Sequence, residues 1–121
     1  MGVSTRVAAP NGLLFVNDLG GGTIPEPTGG SRIWSTQSCV AVGCKIDCEG
    51  ETQVTLGKAR EVDPGYEPSF DDALETPGRA VIVSIVPGEK VLEATVPTSS
   101  TRVRVWVNHP SEPDGIIIGL E

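Results

Sequence analysis

The chain has little of almost everything that usually announces a function, and each shortage removes a class of protein. Aromatic residues make up 4% of its 121 positions, so an interior must rest on Val, Ile, Leu and Ala. Lys and Arg number nine against sixteen Asp and Glu, a net charge of −7. Nucleic acids and anionic membranes are recognised through clustered cations, so neither is an expected partner. No apolar run approaches the ~20 residues that span a bilayer. The first residues, MGVSTRVAAPNG, lack the apolar centre of a signal peptide, and Arg6 stands where an N-myristoylation pattern needs Ser or Thr. Three Cys is an odd number, which suits reduced thiols better than a disulfide framework. The expectation is a cytoplasmic protein.

Plentiful Gly and Pro point the other way, towards many short strands. Fifteen Gly and ten Pro supply the turns, and β-branched residues fill the runs between them. The clearest runs are 80–86, 90–96, 102–108 and 115–120. Earlier candidates are 13–17, an irregular strand at 33–43 with a bulge or an edge position, and 51–56, which pairs with it as a hairpin. In 51–56, Thr52, Val54 and Leu56 share one face; in 102–108, Val103, Val105 and Val107 point inward. Residues 18–32 read as an irregular loop and 58–78 as an acidic one. Within the latter, Ser69-Phe70-Asp71-Asp72 carries a capping signature that predicts a short helix over 69–75, stopped by Pro77. Seven strands with half-polar faces and at most one short helix define an all-β antiparallel sandwich, one domain over 1–121.

Candidate sites are few. Cys39, Cys44 and Cys48, with His109, carry the ligand types of a tetrahedral zinc site, but C-x4-C-x3-C lacks the paired C-x2-C knuckle. Cys39 and Cys44 also face opposite ways along an extended strand. Thiol catalysis needs a lowered thiol pKa, for which Lys45 beside Cys44 is slight support. Asp47, Glu49 and Glu51 around Gly50 lack the EF-hand pattern and read as a solvated hairpin tip. Gly20-Gly21-Gly22 follows an apolar strand without G-x-G-x-x-G spacing or a P-loop Lys, so no cofactor is expected. Trp106 is more informative. Alternation puts it on the solvent face with Arg102 and Arg104, and Trp and Arg anchor many interfaces. Trp34 is a second candidate.

Residues 69–110, SFDDALETPGRAVIVSIVPGEKVLEATVPTSSTRVRVWVNHP, resemble in layout the competence J proteins, small bacterial inhibitors of a DNA-entry nuclease. Shared are a strand near a proline, then strand, turn, a strand ending in Pro, and a closing strand with Trp before a loop. The resemblance covers about the last half of the chain, rests on spacing, and carries over no site residue. It implies an acidic β-sandwich that works by binding another protein. A non-enzymatic module for a protein partner or a second copy of the chain is therefore the first functional expectation. A small-molecule or carbohydrate module with a cleft near Tyr66 and Trp106, and a metal- or thiol-dependent enzyme, are the alternatives.

Overall fold

The computed structural model describes residues 2–10, 12–26, 32–45, 47–86, 89–109 and 113–121. Among them ten strands form two sheets: β1 (Val3–Val7), β2 (Leu13–Asp18), β3 (Ile33–Ser35), β4 (Cys39–Gly43), β5 (Thr52–Lys58), β6 (Phe70–Glu75), β7 (Ala80–Val86), β8 (Glu89–Thr95), β9 (Ser100–Val107) and β10 (Gly115–Leu120). The first sheet runs β1-β5-β10-β9-β6 and the second β3-β4-β2-β7-β8. Every named pairing is antiparallel except β5 with β10, whose parallel register sets Ile116 beside Val54 and Ile118 beside Leu56. The all-β sandwich read from the sequence is the fold.

Alternation fixes what each sheet turns inward. Val54, Leu56, Val103, Val105, Ile116 and Ile118 come from the first sheet, and Leu14, Val16, Val40, Val42, Val81 and Val83 from the second; none is more than 1% exposed. Each such side chain contributes about 1.5–3 kcal/mol, against roughly 0.2–1 kcal/mol for an exposed ion pair. The apolar interior, not the charged outer surface, holds the layers together. Among the described residues Asp18 is the buried charged side chain, alongside the buried hydroxyls of Thr52, Thr76, Ser84 and Thr101. The Asp18 carboxylate accepts the Gly20 and Gly78 N–H groups at 2.8 and 2.9 Å, which ties the end of β2 to the β6–β7 turn. A Cβ on Gly78 would come within 2.8 Å of that carboxylate, so only glycine fits the approach.

Three strands beyond the seven expected come from β1, from β6, and from the division of 33–43. That segment is a hairpin in itself. Thr36 turns the chain, donating its N–H to Cys39 O at 2.8 Å and accepting the Ser38 N–H on its hydroxyl at 3.3 Å, a local bonding pattern Thr favours in turns, while the same hydroxyl donates to Thr23 O at 2.6 Å. The expected hairpin of 33–43 with 51–56 is absent too: β4 and β5 belong to different sheets. The helix expected over 69–75 is strand β6. Its six residues pair in continuous register with β9, from Phe70 opposite Val105 to Glu75 opposite Ser100. A pairing of that length, with Leu74 sealed into the core, overrides a capping signature worth about 1 kcal/mol. The helix that does form, α1 (Ala59–Val62), is a single turn after β5.

Candidate functional site

Trp106 does lie on the outer side of the first sheet, opposite Ile117 on β10, yet it is 1% exposed. The expectation of an indole beside water is thus corrected. The chain between β5 and β6 passes over it. Tyr66 O accepts the indole N–H at 2.8 Å, which satisfies the ring's polar edge. At the other edge, α1 closes down through glycine: a Cβ on Gly119 would lie 2.8 Å from Trp106 Cζ3 and 2.9 Å from Ala59 Cα. Val62 docks similarly, 2.8 Å from where a Gly57 Cβ would be. Gly57 and Gly119 are side by side on neighbouring strands, and together they make the flat bed on which α1 rests.

The two arginines stay on that outer side, held by carboxylates. Arg102 grips Asp71 through two hydrogen bonds, Nε to Oδ1 at 2.6 Å and Nη2 to Oδ2 at 2.9 Å. Arg104 stands 3.4 Å from Asp71 Oδ2 and 3.2 Å from Glu121 Oε1. The Arg104 Nε contact is Coulombic, because no hydrogen bond of acceptable geometry reaches that nitrogen. The Arg102 hydrogen bond, then the charges of Arg102 and Arg104, hold the Asp71 carboxyl below the usual carboxylate range. Cations and anions therefore largely cancel here.

The outer side of the second sheet is different. Phe15, Cys39 and Ala41 are buried there in a small apolar cluster, with Leu13 and Trp34 packed against them and partly open to solvent. Trp34 stands opposite Ala41, and Phe15 lies on the other side of Ala41 across β2. The sequence carries a signal for this cluster. LLFV in β2 and CVAV in β4 are continuous apolar runs, and a run without alternation marks a strand that is covered on both faces.

The thiols do not meet. Cys44 belongs to the interior, Cys39 to the outer cluster, and Cys48 is exposed on the 3-10 turn Asp47–Glu49. Burial pushes the Cys39 thiol up to about 11, slightly offset by a backbone hydrogen bond involving Val16, and burial likewise raises Cys44. Both shifts oppose thiolate chemistry near neutral pH. His109 is exposed in the bend after β9, and among the described residues no group of three His, Cys, Asp or Glu could hold a metal ion. The indole expected to line a cleft near Tyr66 is enclosed, with Trp106 1% exposed. A cleft of about 1080 Å³ opens at the end of the sandwich where β5 meets α1 and faces β8.

No protein-family model matches the sequence, and no curated protein does. Two solved structures share the fold. The crystal structure of ComJ, inhibitor of the DNA-degrading activity of NucA, from Bacillus subtilis, superposes with a TM-score of 0.69 at 8% identity, over 99% of this chain and 96% of that one. The product of crocagin biosynthetic gene J superposes with a TM-score of 0.54 at 14% identity, over 98% and 94%. The likeness to ComJ extends through both sheets, well beyond the C-terminal half in which the sequence resemblance lay. No helix among the described residues is long and apolar enough to cross a membrane.

Proposed function

We propose that this chain is a non-enzymatic module that acts by binding another protein, in the manner of an inhibitor. The observation that carries the reading is the shared fold: ComJ, an inhibitor of a nuclease activity, has the same architecture over nearly the whole of both chains. The outer side of the second sheet supplies the surface, with Trp34 as its aromatic anchor and Leu13 and Phe15 beside it. The network of Arg102, Arg104, Asp71 and Glu121 lies on the outer side of the opposite sheet, where its charges pair among themselves and leave the Trp34 side as the apolar docking surface. The excess of carboxylates favours a basic partner and speeds its approach. Residues 1–121 act as one domain in a bacterial cytoplasm, where Cys39, Cys44 and Cys48 stay reduced.

The test is to isolate the bound protein from lysate of the source cells, purify it, and titrate it calorimetrically with wild type and Trp34→Ala. The reading expects saturable binding weakened at least tenfold by the substitution. Titration without binding, or equal binding by the variant, removes the partner or the surface respectively. Sedimentation of the isolated chain decides the remaining form of the idea. A concentration-dependent dimer that Trp34→Ala dissolves makes the partner a second copy.

A further inference from the structure

The interior is sealed nearly everywhere, and where the seal fails is informative. Among the buried residues of the main core cluster, only Val96 and Leu120 keep more than 4% of their surface, at 8% and 7%. Both line the 1080 Å³ cleft, together with Leu56 and with Val3, which is 53% exposed. The cleft exists because β5 runs directly into α1. Ala59 swings to the outer side of the first sheet to meet Gly119, so the inner end of β5 is left uncovered opposite the end of β8. Its size is at the upper limit of small-molecule sites, which range over roughly 300–1,000 Å³.

The rim has a definite charge pattern. Glu61, Glu93 and Glu121 border the cleft; Glu93 is held by Lys90 at 2.7 Å and Glu121 by Arg104 at 3.2 Å. Lys58 and Arg60, on the lip, enter no ion pair with a described residue, although Glu61 stands near both on the same turn. An apolar floor that continues the core, beneath a lip with two cations and with Glu93 and Glu121 engaged by Lys90 and Arg104, suits a ligand with an aliphatic tail and one negative charge. We propose that this cleft binds a medium-chain aliphatic carboxylate, its tail against Val3, Val96 and Leu120 and its carboxylate at Lys58 and Arg60. The site is separate from the Trp34 face, so it stands or falls independently of the protein-binding reading.

Decanoate, kept below its micellar concentration, is the probe. Calorimetry and amide chemical shifts should show saturable binding, with perturbations at Gly57, Ala94, Thr95 and Thr101. Across hexanoate, octanoate and decanoate the affinity should rise by up to about fourfold per methylene. Lys58→Gln with Arg60→Gln should weaken decanoate about tenfold, as should replacing it by neutral decanol. Val3→Glu places a carboxylate over the floor at an exposed strand end and should abolish binding while the protein stays folded. The proposal is overturned by an absence of saturable binding, by decanol binding as well as decanoate, by perturbations confined to the Trp34 face, or by binding to anionic lipid vesicles without binding of monomeric decanoate.

Discussion

The two outer faces of this sandwich each carry one tryptophan, and they use it in opposite ways. On the first sheet the chain folds back over its own indole: α1 sits on a glycine bed, Tyr66 takes the ring N–H, and Trp106 becomes core outside the core. On the second sheet Trp34 and Leu13 remain partly open above a buried floor of Phe15, Cys39 and Ala41. Side-chain alternation alone treats the two rings as equals, since both point away from the interior. What separates them is whether a connecting segment returns across the face. An outward aromatic is thus an interface anchor only where the protein itself has not already covered it.

The largest effects should come from removing the covered ring. Trp106→Ala empties an enclosed site and leaves Tyr66 O without its donor, so urea denaturation should show a loss of about 3–5 kcal/mol. A loss under 1 kcal/mol would erase the contrast between the faces. Gly119→Ala approaches the same packing from the other side. Its Cβ must displace Ala59 Cα and the indole edge, both closer than 3.0 Å, and overpacking of this kind costs about 1–3 kcal/mol. α1 should detach from its bed, which the Trp106 emission would report as a shift to longer wavelength.

These glycines also explain what was readable in the sequence and what was not. Strands β7 and β10 were legible as Val- and Ile-rich runs, and β8 and β9 as alternating segments bounded by Pro and Gly turns. The inward set Val103 and Val105 followed from period two alone. Strand β6 was not legible, because Ser69-Phe70-Asp71-Asp72 satisfies a helix start locally and only pairing with the distant β9, with Leu74 sealed into the core, makes the segment a strand. The VSTRV of β1 does alternate, but it lies in a polar stretch with a single partner strand. Burial of Trp106 was hidden for a similar reason: Ala59, Tyr66 and Gly119 converge on it from three places in the chain, and none carries a local mark of doing so. The Trp34 side could have been recognised from LLFV and CVAV, whose missing alternation says that both faces are apolar.

Trp34→Ala is the sharper half of the comparison, because its two readouts should separate. The ring is only partly buried, so stability should fall by about 1 kcal/mol, well short of the Trp106 loss. Partner binding, by contrast, should weaken at least tenfold. Cys39 gives a probe of the same face without a partner. Its thiol is buried beneath the cluster and pushed up to about 11, whereas Cys48 is exposed. At pH 8 a thiol reagent should therefore modify Cys48 first. Trp34→Ala should speed labelling at Cys39 and leave Cys44, on the interior side, protected. Equal acceleration at Cys44 would mean that the substitution loosened the whole sandwich rather than this face.

The smallest effect belongs to the charges on the other side. Asp71 has its carboxyl lowered first by the hydrogen bond from Arg102 and then by the charges of Arg102 and Arg104. A lowered folded-state pKa means that the pairing stabilises the protein above the unfolded carboxyl value, near 3.9, and that this contribution disappears as the pH falls through the lower folded value. The groups are largely solvated, so screening limits the contribution to about 0.5–1 kcal/mol. The difference in stability between wild type and Asp71→Asn should thus be present at pH 6, shrink in 0.5 M salt, and decline as the pH falls below the unfolded carboxyl value. A difference that persisted in acid would assign Asp71 a packing role in place of an electrostatic one. It would also mean that the arginine face, like the indole beside it, is held by contact and not by charge.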